Sequence, residues 1–196
     1  MFAVGGNAQE EQTDLGALRV TSVTLTIEGT SKKAPFFAST KTVRLTNLQL
    51  GGPPEGDVLQ QVLQPGGLAA VDVAVPVMSI TSPDKGVDER IHESLKAAEY
   101  PEIRFRLRSV TNDPSYGTGP VLLRAHGTLT IIGVDRDIAV TVKAMRAGSW
   151  LLVDGTTDLL MTDFGITPPK GLFGMLKTNP AVRVRSYLTL RAADAQ

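Results

Sequence analysis

The chain has 196 residues, no cysteine, and 20 basic side chains balanced by 20 acidic ones. Its length suits one domain or two small ones, and 42% apolar residues allow a sizeable buried core. The neutral balance argues against nucleic acid as a partner, because counterion-driven binding requires clustered Lys and Arg. The lack of cysteine excludes disulfides, thiolate metal sites and a cysteine nucleophile.

Residues 1–17 carry no clear helix or strand pattern, and we expect a flexible N-terminal segment there. They lack the basic start and the full apolar run of a secretory signal. The small residues before the Ala8–Gln9 step also fit the end of a signal whose earlier part is missing, in which case the protein is periplasmic or secreted. No transmembrane segment is expected, because no stretch approaches the roughly 18 apolar residues that a spanning helix needs.

From Leu18 onward, apolar and polar residues alternate with a period of two, the pattern of strands with one buried face. The alternation runs through two strands within residues 23–50, with a change of parity that a bulge would require. It resumes over Val71–Val77, where Pro76 suggests an edge strand or a bulge. An edge at this place would allow pairing with a second copy of the chain as a homodimer.

A short amphipathic helix is predicted over residues 87–98, with a charged face opposite its apolar one. Its apolar residues recur at helical spacing: Val87, Ile91, Leu95 and Ala98. We expect this helix to lie on the sheet as a lid or plug. A weaker helical pattern covers Asp57–Leu63.

Alternation returns over Glu102–Val110, where three arginines face the side opposite to the apolar residues. Further strand patterns cover residues 121–131, 138–143, 150–153, 159–161 and 182–190. The segment Gly133–Arg136 reads as a tight hairpin connection. Many antiparallel strands with almost no helix predict an all-β sandwich or a closed barrel.

Catalytic and metal-binding motifs are missing from the sequence. His92 and His126 have no partner at a metal-ligand spacing such as HExxH. No GxSxG or SxxK motif holds a serine nucleophile, and Gly117-Thr-Gly119 leads into a strand and not into the helix that a phosphate loop requires. We therefore expect no metal site, and the sequence gives no support for an enzyme.

The connection after Met161 is more apolar than a solvated loop would be. Its apolar residues are Phe164, Ile166, Leu172, Phe173, Met175 and Leu176. Because apolar patches mark binding sites when they are exposed, two interpretations stay open. The segment either packs beneath the barrel or lines the mouth of a cavity.

Three segments resemble the YceI-like protein family. Residues 96–105 are similar to the family's passage from a short helix through a Tyr-Pro step into a strand, and residues 127–136 to its Gly-x-Leu-Thr-Ile-x-Gly-Val hairpin. Thr162–Ile166 is similar to its Asp-Phe-Gly turn. The resemblance covers Ala69–Leu190 well and the first 68 residues poorly, where two histidines near the start of many members are missing. Any head-group contact of those histidines therefore does not carry over.

This resemblance implies a single eight-stranded antiparallel lipocalin-like barrel over residues 18–191, commonly in the bacterial periplasm or secreted. It also implies a non-enzymatic protein that binds, carries or stores a polyisoprenoid or quinone-like lipid in an apolar interior, with no other cofactor required. We expect Phe164 and Phe173 near the mouth. The predicted ligand-binding residues are Val73, Val75, Ile103, Phe105, Leu107, Ile131, Ile138, Val140, Val142, Phe164, Phe173 and Met175.

The alternative is a structural or interaction barrel with an arginine-rich outer face. Arg104, Arg106 and Arg108 share one strand face, and Arg183 and Arg185 would join them if the final strand were a neighbour. Such a surface would dock an acidic partner or an anionic membrane surface. The simpler interpretation is a solvated face balanced by nearby acids.

Overall fold

The computed structural model describes residues 14–15, 18–31, 35–53, 56–64, 66–113, 120–168 and 178–192. The strands in these residues are β1 (Asp14–Leu15), β2 (Leu18–Ser31), β3 (Pro35–Thr40), β4 (Arg44–Leu50), β5 (Leu68–Pro76), β6 (Glu102–Asp113), β7 (Val121–Ile131), β8 (Val134–Ala147), β9 (Trp150–Leu160) and β10 (Thr178–Ala192). The helices are α1 (Val58–Gln61) and α2 (Lys85–Ser94), and two 3₁₀ turns cover Val77–Ser79 and Met161–Phe164. Of the predicted flexible segment at residues 1–17, only Asp14–Leu15 is described, and it forms β1.

The strands form one antiparallel sheet in the order β1-β2-β10-β9-β8-β7-β6-β5-β4, and β3 pairs with β2 on the edge that faces away from β10. The all-β antiparallel prediction is confirmed. The strand count differs slightly, because the short strands β1 and β3 join eight longer ones. The patterns at 150–153 and 159–161 belong to one continuous strand, β9. The sheet curls into a barrel. Among the described residues no ladder joins β4 to β2 or β3, so backbone pairing does not close this barrel.

Strand β5 is not an edge strand, so the edge-strand argument for a homodimer is wrong. It pairs with β4 on one side and with β6 on the other. Pro76 is tolerated because the ladder to β4 ends at Ala74, so that Pro76 is paired on one side only. The bulge predicted from the parity change is present in β4, where the register with β5 shifts between Leu45 and Asn47.

The hairpin between β7 and β8 turns at Ile132 and Gly133. The turn thus begins one residue before the predicted connection, Gly133–Arg136, and is shorter than predicted. Both residues have positive φ, 45° and 76°, and Ile131 pairs with Val134. Two consecutive positive φ angles in a two-residue loop are typical of a type I′ turn, which matches the twist of the flanking strands. Val134–Arg136, expected in the connection, therefore belong to β8.

Helix α2 begins and ends earlier than predicted. The Asp84 side chain accepts a hydrogen bond from Gly86 N at 2.9 Å, and this cap starts the helix at Lys85. The helix ends at Ser94, and Lys96 has a φ of 47°. Ala98, expected on the apolar face, is exposed because it lies beyond the helix end. The weaker pattern at residues 57–63 corresponds to α1, which Asp57 caps.

Two clusters of buried apolar side chains lie at different heights along the strands. In β7, Leu123 belongs to the first cluster, whereas Leu129 and Ile131 belong to the second. The first cluster includes the residues at and after α1, and the second includes Phe164 and packs against α2. Each helix therefore covers its own end of the curled sheet.

Candidate functional site

An apolar cavity of about 540 Å³ lies inside the curled sheet, between the two covered ends. Side chains of β2 to β10 line it, together with residues at both helices. In β8, for example, Ile138, Val140 and Val142 face the cavity, while Ala139 and Thr141 between them are exposed. Because successive side chains of a strand point to opposite faces, the sequence alternation produces this apolar lining directly.

Ten of the twelve predicted ligand-binding residues line the cavity: Val73, Val75, Ile103, Phe105, Leu107, Ile131, Ile138, Val140, Val142 and Phe164. Phe173 and Met175 lie outside the described residues. Phe164, expected near the mouth, is only 2% exposed and packs in the second cluster. That these residues contact a ligand stays a prediction.

The predicted ligand-binding residues include none from β2 or β10, although both strands line the cavity. Leu25, Ile27, Val182, Val184 and Leu188 all face the cavity. Their alternation was visible in the sequence, and applying the inward-face argument to these two strands would have found them. The resemblance did not help with β2, because it covers that part of the chain poorly.

The end covered by α1 is tightly closed. Leu59, Val62 and Leu63 are each at most 7% exposed. Asp57 holds this plug by accepting a hydrogen bond from Leu59 N at 3.1 Å and by pairing with Arg146 of β8. The hydrogen bond from the Arg146 side chain lowers the pKa of Asp57 from its ordinary value.

The end covered by α2 is looser and more polar. No residue within α2 is fully buried, although Val87 and Ile91 face the cavity. Arg90 and Ser94 also contribute to the lining, and Arg90 is the one charged residue in that lining among the described residues. The cavity thus has a sealed end and an end with polar groups beside it.

The middle of the cavity is kept open by a glycine. A Cβ atom at Gly155 would collide with the Ser186 hydroxyl and lie 3.3 Å from Val140 Cγ1. The inward-facing Gly29 and Gly127 differ, because the rings of Phe36 and Phe105 cover them. Beside Gly155 the cavity is therefore bounded by two small side chains, those of Val140 in β8 and Ser186 in β10.

The outer arginines do not form a single surface, so the premise of the alternative interpretation is wrong. Three strands, β7 to β9, separate the final strand from β6. Each arginine also lies beside a carboxylate: Arg104 pairs with Glu102 at 3.1 Å, Arg106 with Asp72 at 3.4 Å, Arg108 with Asp137 at 3.4 Å, Arg183 with Asp158 at 2.7 Å and Arg185 with Glu28 at 3.2 Å. Hydrogen bonds from Arg183 lower the pKa of Asp158. The five arginines are exposed, and nearby carboxylates balance their charge, so these are solvated surface pairs.

His92 links two parts of the fold. His92 Nε2 lies 2.9 Å from the Ile80 carbonyl oxygen, which connects α2 to the segment after β5. In the described ranges, His, Asp and Glu side chains form no group of three that could hold a metal ion. Neither helix described here has the length and apolar character needed to cross a membrane.

Two comparisons relate the amino-acid sequence to known proteins. The sequence profile of the YceI-like domain family matches residues 54–190. A search of curated proteins finds no match.

Several solved structures share the fold at low sequence identity. BcnA of Burkholderia cenocepacia superposes with a TM-score of 0.65 at 16% identity, covering 85% of this chain and 95% of that one. A polyisoprenoid-binding domain from Saccharophagus degradans, implicated in plant cell wall breakdown, gives 0.64 at 12% identity, covering 90% and 99%. The YceI protein of Campylobacter jejuni gives 0.54 at 13% identity, covering 81% and 85%.

Proposed function

Because the chain belongs to the YceI-like domain family, we propose that it binds a slender isoprenoid or quinone-like lipid in its apolar cavity, without catalysis. The observation that carries this proposal is the cavity of about 540 Å³ with its aliphatic lining. This volume lies within the range of small-molecule sites in proteins, roughly 300–1,000 Å³. The polyisoprenoid-binding domain from Saccharophagus degradans supports the ligand class, because it shares the fold.

The cavity volume sets the length of chain that can be buried. A methylene group fills about the volume of a liquid water molecule, roughly 30 Å³, so 540 Å³ holds about 18 carbon atoms, or three to four isoprene units. Burying each five-carbon unit gains about 4 kcal/mol gross at about 0.8 kcal/mol per methylene. Three to four units contribute about 12–16 kcal/mol, which offsets nearly the whole range of an association cost of roughly 4–15 kcal/mol. One or two units, at about 4–8 kcal/mol, offset only the lower part of that range.

Two measurements test this function. Organic extraction and native mass spectrometry of the purified protein should reveal a bound prenyl lipid. The delipidated protein should then bind geranylgeraniol much more tightly than geraniol, because the longer alcohol fills the cavity. Failure to recover any lipid, together with equal and weak binding of the two alcohols, would contradict the proposal.

A further inference from the structure

The backbone ladder between β8 and β9 is incomplete. It stops at the pair Thr141–Thr156, although β8 begins at Val134 and β9 continues to Leu160. The unpaired part of β8 remains paired with β7, and that of β9 remains paired with β10. The two strands thus diverge while each stays in the sheet, and in the part of the chain that the structure describes they leave a gap in the wall of the barrel.

A groove of about 370 Å³ lies at this gap. It shares five lining residues with the cavity: Ile138, Thr157, Leu159, Leu160 and Phe164. Its remaining lining residues are Arg136, Asp137, Ala139, Asp158 and Asp163. The cavity and the groove therefore meet at the gap, with apolar side chains between them and charged side chains around the outer opening.

Among the described residues, the Phe164 ring and a side-chain hydrogen bond lie at this gap. The Thr157 hydroxyl donates to the Ala139 carbonyl oxygen at 3.1 Å. Phe164 ends the Met161–Phe164 turn, and Gly165 follows it with a φ of 73°. Displacing one ring and one side-chain hydrogen bond requires less rearrangement than separating a continuous ladder, because no backbone pairs need to be broken.

We propose that a lipid chain longer than the cavity leaves it through the gap between β8 and β9, and that the outer groove is a second contact site for the protruding part. This inference rests on the proposed function. The end at α1 is closed by buried Leu59, which leaves the looser α2 end and the gap between β8 and β9 as the two ways out for a long chain. Ile138, Leu159 and Phe164 continue the apolar path into the groove, where Arg136 and Asp163 offer charged partners to a hydroxyl-bearing end.

Single cysteine variants test the path, because the natural chain contains no cysteine. Ala139→Cys places a thiol in the groove, and Thr141→Cys places one on the same outer face of β8 but outside the groove. Maleimide modification is followed with and without saturating solanesol, a long prenyl alcohol, or the short alcohol farnesol. We expect solanesol to slow modification several-fold at position 139 and not at 141, and farnesol to protect neither.

Arg90→Cys tests the other exit, at the α2 end, because Arg90 belongs to α2 and lines the cavity there. If solanesol binds but leaves position 139 reactive, exit between β8 and β9 is wrong, while the proposed function stands. Protection of position 90 in that case would place the exit at the α2 end. Failure of both alcohols to bind would overturn the proposed function together with this inference.

A second variant tests the role of the Phe164 ring. Phe164→Leu keeps an apolar side chain but fills less of the gap between β8 and β9, and we expect it to raise the dissociation rate of solanesol several-fold. Ile166→Val is the matched control, because Ile166 belongs to the same buried cluster but does not line the groove. Equal dissociation rates in Phe164→Leu and the wild type would contradict a gating role, and the cysteine test remains decisive if this variant does not fold.

Discussion

Filling the middle of the cavity should strongly weaken lipid binding while the fold survives. Val140 faces the cavity where Gly155 and Ser186 keep it open. Val140→Trp adds about seven non-hydrogen atoms, which displace about as many ligand carbon atoms and remove up to about 6 kcal/mol of gross burial energy. Because 1.4 kcal/mol corresponds to a tenfold change in affinity, even half of this loss weakens binding of geranylgeraniol by roughly 100-fold.

The assay compares the affinity of Val140→Trp for geranylgeraniol with that of Thr141→Trp. Thr141 is exposed on the outer face of the same strand, so its variant controls for adding an indole to β8. Overpacking should lower the free energy of unfolding of Val140→Trp by about 1–3 kcal/mol, which a denaturant titration measures. Unchanged affinity in a folded Val140→Trp protein would refute the assignment of the cavity as the lipid site.

Three further predictions concern stability. Arg146 lowers the pKa of Asp57 on folding, so the Asp57 carboxylate stabilises the protein fully above the ordinary aspartate pKa near 3.9, and this stabilisation is lost as the pH falls through the lowered pKa. Asp57→Asn, which keeps the cap, should make the free energy of unfolding less dependent on pH in this acidic range. An unchanged pH dependence would contradict the prediction. Gly133→Ala should lower the free energy of unfolding by about 1–2 kcal/mol, because φ is 76° and a Cβ would lie 2.9 Å from Tyr100 Cε1; a neutral result in a thermal melt would argue against this strain. Leu59→Ala should cost about 2–5 kcal/mol by emptying the α1 plug, and a loss below 1 kcal/mol would mean that the plug does not support the barrel.

The lining of the cavity was largely predictable from the sequence because inward orientation is a local property of a strand. Ile103, Phe105 and Leu107 alternate with arginines, and this alternation alone decides which face avoids water. The helix boundaries were less accurate, since the cap at Asp84 and the left-handed Lys96 decide where α2 begins and ends. The burial of Phe164 was not predictable from the sequence, because burial depends on neighbours in strands remote along the chain.

The sequence by itself determined the all-β class, the inward face of each strand and the apolar character of the interior, because these follow from a period of two along a single strand. Only the tertiary structure decided which strands are neighbours. Pairing of Val182 with Gly29 joins residues far apart in the chain, and it places β10 between β2 and β9, away from the arginines of β6. The gap between β8 and β9 likewise is visible only in the tertiary structure, because the sequence does not show that the ladder between the two strands stops at Thr141 and Thr156.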